Sequence, residues 1–156
     1  MTDSQAFEKA FYEAFERRYG QKMEEMKMHK FMYFTQRESL MLHDIPAFSE
    51  EFFGWKYGPV LKSVRSSYRQ CPDDPFYAAG GLLSRNDEKL VEAVLDRYGN
   101  CSAWELSELT HREYSWKRSR KGLSPDENGS TKVELNAIKV DAARELSGRK
   151  QKVSLL

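Results

Sequence analysis

Three histidines and two cysteines hold most of the site chemistry this 156-residue sequence offers. His29, His43 and His111 have no second histidine or cysteine at the short spacing that lets neighbouring side chains share one metal ion. His29 and His43 lie fourteen positions apart. At 3.6 residues per turn that is about four helical turns, too far for a single ion. Cys71 and Cys101 form no C-x-x-C pair and are expected as small buried hydrophobes in a reducing cytoplasm. Cys101 with His111 is the one thiol–imidazole pairing a folded chain could assemble. The Gly-rich phosphate loops, the dinucleotide fingerprint and the G-x-S-x-G elbow are all missing. No catalytic residue, metal site or cofactor is expected, and the chain does not read as an enzyme.

What remains is recognition chemistry. Lys117, Arg118, Arg120 and Lys121 form the densest basic run, and with the capped helices before them they allow a helix-turn-helix reading with phosphate contacts. The second helix would then be only about two turns long. The chain carries 25 basic and 24 acidic residues, a net charge of +1, which gives no broad polyanion footprint. A solvated face is the favoured reading of the run, with a nucleic-acid-binding regulator as an alternative. "MTDSQAFEKAFYEAFERR" is charged throughout, which fits neither a signal peptide nor a membrane span. A cytoplasmic protein without membrane partners is expected.

The elements that must position these groups are mostly helices. Phe7, Phe11, Phe15 and Tyr19 recur at helical spacing from Ser4, and Gly20 suits the position past the helix end. That stripe is expected in the core, or buried across a homodimer. A second helix is predicted from about Gln21 to His43, closed by Asp44-Ile45-Pro46. Gly58-Pro59 is predicted to open a third, with Val60, Leu61, Val64 and Tyr68 on one face and Cys71-Pro72 as its stop. Ser84 caps a fourth, and Ser102 with Glu105 forms a capping box for a fifth. A short helix runs from Ser115 to Gly122. "LSPDENGST" reads as a flexible loop, Lys132 to Leu135 as a short strand, and Asn136 caps a last helix that Gly148 ends. The tail "RKQKVSLL" reads as frayed, or as a degradation tag or an added strand. The class is mainly α: a single compact domain of about six to seven helices with one short β-hairpin.

The stretch "EFFGWKYGPVLKSV", Glu51 to Val64, raises the sharpest question. Trp55 and Tyr57 share parity, so in an extended segment they point to one side and Lys56 to the other. Packed against the Lys27–Phe34 helix, the two aromatics would lock the turn, at about 2 kcal/mol each. The alternative is a docking patch for a protein partner made of Lys27, Lys30, Tyr33, Lys56 and Tyr57, because aromatic and basic side chains anchor interfaces.

Three segments carry a resemblance to the SocA-like antitoxin family, also called the Panacea domain. "KMHKFMYFTQRESL" resembles that family's K-L-x-K-L-L-Y-F-x-Q helix, "FFGWKYGPV" its x-x-A-W-x-Y-G-P-V signature, and "ELSELTHREYSW" its L-S-x-x-T-H-x-x-x-x-W segment. Phe31 and Met32 stand where leucines are usual, and Gly54 where alanine is usual. The resemblance covers roughly Met23 to Leu146. It implies a helical, non-catalytic, phage-associated antitoxin, with Phe31, Phe34, Trp55, Gly58, Pro59, Leu106, His111 and Trp116 as structural motif residues. It also implies a division into an N-terminal amphipathic helix packed on the domain (1–22), the domain itself (23–148) and a basic, then apolar tail (149–156). The partner implied is a cognate protein toxin, bound directly as a hetero-oligomer or handed to a ClpXP-type protease. Members often carry an added DNA-binding domain, for which this length leaves no room.

Overall fold

Helix α2, Glu25–His43, is the axis of the computed structural model, which describes residues 1–154. Every residue from Met28 to Leu40 is buried, so this stretch of the helix has no solvent face. It starts later than the sequence predicts, because Gln21 to Glu24 form an extended lead-in with Met23 buried beneath it. A helix enclosed on all sides must satisfy its polar side chains internally. The Gln36 amide does so at both ends, donating to the Phe48 carbonyl at 2.9 Å and accepting from the Ala47 N–H at 2.7 Å. Thr35 donates to the Phe31 carbonyl at 2.7 Å.

Helix α1, Ser4–Tyr19, is capped by the Asp3 side chain and stopped by left-handed Gly20. Its phenylalanines are spent in the chain's own core: Phe11 meets Phe31 at 5.6 Å and Phe7 meets Phe48 at 6.0 Å between ring centroids. That stripe is therefore not available to a dimer. Helices α3, Lys62–Gln70, α4, Arg85–Tyr98, and α5, Ala103–His111, follow, the last two with the Ser84 cap and the Ser102–Glu105 capping box in place.

The Gly58-Pro59 helix start does not form. Strands β1, Phe52–Trp55, and β2, Gly58–Leu61, make an antiparallel hairpin, and β3, Lys132–Val133, pairs with the other edge of β1. Pro59 is tolerated in β2 because it opposes Gly54 at a pair whose backbone groups point outward. The Gly54 N–H goes to the Thr131 carbonyl at 2.9 Å, and a proline on the far strand forfeits no ladder bond. Val60 and Leu61 accordingly sit on the strand, and the helix begins at Lys62.

Helix α6, Tyr114–Ser119, has no side-chain cap of its own. Asp141, on helix α7, Leu135–Ser154, supplies one by accepting from the Tyr114 and Ser115 N–H groups at 2.8 and 2.9 Å. Helix α7 neither begins with an Asn136 cap nor ends at Gly148. The N–H groups of Ala137 and Ile138 already bond the Glu134 carbonyl. Past the glycine, Arg149 clamps the Glu38 carboxylate and lies 3.3 Å from Glu145. Such pairs offset the roughly 1 kcal/mol cost of an internal glycine. Leu155 and Leu156, the end of the tail, lie outside the described residues. Seven helices and one three-stranded sheet among the described residues make the fold mainly α. No described helix is long and apolar enough to cross a membrane.

Candidate functional site

The two residues between β1 and β2, Lys56 and Tyr57, are the turn of the hairpin, and side chains from three helices hold its backbone. The Trp116 indole N–H donates to the Trp55 carbonyl at 2.8 Å, and the Ser107 hydroxyl to the Tyr57 carbonyl at 2.6 Å. The His111 ring stacks on Trp116, with centroids 4.3 Å apart and planes 11° from parallel. Burial pushes the His111 imidazole below its ordinary pKa. Gly58 has φ 125°, a conformation that favours glycine. A side chain there would also lie 2.7 Å from both the Lys30 amine and the Thr110 hydroxyl.

Helix α2 covers the outer edge of β2 with two side chains. The Leu61 N–H donates to His29 Nδ1 at 3.1 Å, so the ring proton sits on Nε2, facing Glu25 at 2.9 Å. Burial lowers the His29 pKa, and Glu25 only partly opposes it. Burial also works to raise the Glu25 carboxyl, but hydrogen bonds from His29 and from Arg65, at 2.8 Å, outweigh it and hold the group low. The Lys30 amine donates to the Pro59 carbonyl at 3.2 Å. Only 1% of Lys30 is exposed, and burial brings its pKa down to about 7.

Beside the turn lies a groove of about 690 Å³. Met26, Trp55, Tyr57 and Val60 give it apolar walls, Lys56, Arg65 and Arg69 give it positive charge against the single acid Glu25, and the Lys30 amine borders it. Its far wall is Asn128 to Ser130, part of the loop expected to be flexible. That loop is pinned. The Arg120 guanidinium donates to the carbonyls of Gly54, Ser124 and Glu127 at 3.2, 3.1 and 2.6 Å.

These positions correct several expectations. Tyr33, expected on a docking surface, is 0% exposed within the enclosed stretch of α2, and Lys30, 1% exposed, borders the groove from inside the fold instead of standing on the surface. Tyr33 is committed to Ser115 and Asp141 at 2.9 and 3.1 Å. Lys27 lies over the Phe15 ring at 5.0 Å and does not line the groove. Trp55 is half-buried, but Tyr57 does not lock the turn with its ring. Tyr57 is 49% exposed, with the Lys56 amine 5.2 Å from its ring centroid, and the locking is done through the two residues' carbonyls. Arg120 is 7% exposed and is a clamp within the fold, while Lys117, Arg118 and Lys121 stay on the surface. His111 is occupied by Trp116 and by Ser107, 3.4 Å from its Nε2, and makes no hydrogen bond to Cys101. Phe31, Phe34 and Leu106 are core residues. Among the described residues no cluster of three His, Cys, Asp or Glu side chains could hold a metal. The sequence reading missed Arg65 and Arg69, whose only signal was two basic residues one turn apart on α3.

The three quoted segments, distant in sequence, therefore meet at one place: α2 and α5–α6 grip the hairpin between them. Residues 28–117 match the family described as "Antitoxin SocA-like, Panacea domain". The chain belongs to that family. The match begins inside α2, contains the whole β1–β2 hairpin, and ends in α6 just past Trp116. No curated protein and no solved structure matches the chain significantly. The Panacea domain thus includes the turn and most of the groove, while Glu25, Met26 and the Asn128–Ser130 wall come from sequence outside the matched residues.

Proposed function

We propose that this protein is an antitoxin that neutralises a cognate protein toxin by direct binding, without catalysis, and that the hairpin turn with its groove is the docking face. One observation carries the reading. The segments that characterise the Panacea domain converge on a backbone turn whose conformation is held by side chains from three helices. Its outward side presents Lys56 and the exposed Tyr57 ring. A preorganised loop carrying an aromatic and a cation loses little entropy on association.

Co-expression with the product of a neighbouring gene tests this. The expected result is restored growth together with a stoichiometric complex on purification. Toxicity that persists at full antitoxin levels, with no complex recovered, would end the proposal. The alternative mechanism is delivery of the toxin to a ClpXP-type protease, in which case rescue disappears in a strain lacking that protease. Direct neutralisation predicts that rescue persists there.

A further inference from the structure

We propose that the groove beside the hairpin turn receives an acidic segment of the toxin, with one carboxylate facing the Lys30 amine and the neighbouring acidic positions meeting Lys56, Arg65 and Arg69. This rests on the docking reading above and names the chemistry of the partner that the face accepts.

Charge complementarity selects the occupant. Four basic side chains line the groove and one acid, Glu25, opposes them. Glu25 is already engaged by His29 and Arg65. Lys56 and Arg69 form no ion pair among the described residues, so their charges face the groove uncompensated. Arg65 lies 2.8 Å from Glu25 and, as a planar fork, retains donors for a second carboxylate.

Lys30 is the second line of support. Its amine has one hydrogen-bond partner, the Pro59 carbonyl, and an ammonium has three donors. A buried amine is ordinarily paired when charged, and the one acid of this groove, Glu25, is bonded to His29 and Arg65 and not to Lys30. The titratable and charged groups around it are Glu25 and His29 on α2, Arg65 on α3, His111 on α5 and Lys56 at the turn. An arriving carboxylate would make the charged form of Lys30 the stable one. The apolar walls, Met26, Trp55, Tyr57 and Val60, add a requirement for aliphatic or aromatic residues beside the acids.

The test uses the full chain and the co-expressed toxin. K56E/R69E should weaken the complex at least about 100-fold, two tenfold steps of lost charge complementarity, and abolish growth rescue. K117E/K121E, an equal charge change outside the groove, should bind like the wild type. Tight binding by K56E/R69E overturns the groove assignment while leaving the antitoxin reading intact. A wild-type protein that never binds the toxin overturns that reading instead. Calorimetry near pH 7.5 in buffers of different ionisation enthalpy should show proton uptake on complex formation. K30M, checked for folding by circular dichroism, should lose that uptake. Uptake that is absent in the wild type, or unchanged in K30M, removes Lys30 from the contact. Single-stranded DNA that co-purifies and is lost in K56E/R69E would make the occupant a phosphodiester and overturn the acidic-segment proposal.

Discussion

The Trp116 indole N–H donates to the Trp55 carbonyl at 2.8 Å, tying α6 to the last residue before the hairpin turn. The same indole stacks on His111, so one side chain links the turn to both α5 and α6. Replacing Trp116 with Phe keeps an aromatic face for the histidine but removes the donor and one ring of a half-buried indole. Urea denaturation should show a loss of at least about 1 kcal/mol, the net value of one such bond. A variant as stable as the wild type would mean that the bond does not hold the turn.

Lys30 gives a pH signature. Its folded pKa is about 7 and its ordinary value 10.5. Between those values the unfolded chain binds more protons than the folded one, so the Lys30 contribution improves as pH rises and is most unfavourable below pH 7. Lys30→Met removes this titration. The stability difference between variant and wild type should favour the variant most at pH 6. It should then shrink by at most about 1.4 kcal/mol per unit between pH 7 and 10. A difference that stays constant across that range would show that Lys30 is not held neutral.

Glu8 slopes the other way. It is fully buried on α1, accepts from Ser63 at 3.2 Å, and its second oxygen has no partner. Burial lifts its pKa from 4.5 to about 7, with Glu50 and Asp3 adding to the rise and the Ser63 and Ser4 hydroxyls opposing it. From pH 4.5 to 7 the folded chain holds the extra proton, so this group makes the protein less stable as pH rises through that window. Glu8→Gln should flatten that part of the stability profile and leave the pH 4.5 value nearly unchanged. The same slope in the variant would place its origin elsewhere.

Local patterns read directly from the sequence are the ones whose causes are local. The helix from Ser4 to its stop at Gly20, the Ser84 cap and the Ser102–Glu105 box depend on residues within one turn of each other, and they stand as read. Long-range causes were not legible. Lys30 and Tyr33 fall on a helix whose polar positions look like a solvent face, but their partners, Pro59, Ser115 and Asp141, lie between 29 and 108 residues away. Pro59 suits a helix start by its fixed φ, and only pairing with Gly54 shows that it serves in a strand. Arg120 looks like part of a basic run because nothing near it in sequence says that Gly54 and Glu127 will supply carbonyls. The groove suffers most from this, since its walls come from α2, the hairpin, α3 and the 128–130 loop.

Gly54 shows how tightly the hairpin fits against α6. A Cβ at this position would lie 2.0 Å from the Ser119 hydroxyl oxygen and 2.8 Å from its Cβ. The glycine is required by this approach rather than by φ, and its N–H and carbonyl are engaged by Thr131 and Arg120. Alanine, the residue usual in the resembling signature, therefore does not fit unless Ser119 changes with it. Gly54→Ala alone should destabilise by about 1–3 kcal/mol, the range for overpacking. Ser119→Ala in that background should recover only part, because its Cβ remains at 2.8 Å, whereas Ser119→Gly should recover most of the loss despite its own helix cost. A double-mutant cycle by urea denaturation reads the coupling. Additive effects for Gly54→Ala and Ser119→Gly would mean that the hairpin moves away from α6 freely, and that the turn is less firmly held than its hydrogen bonds imply.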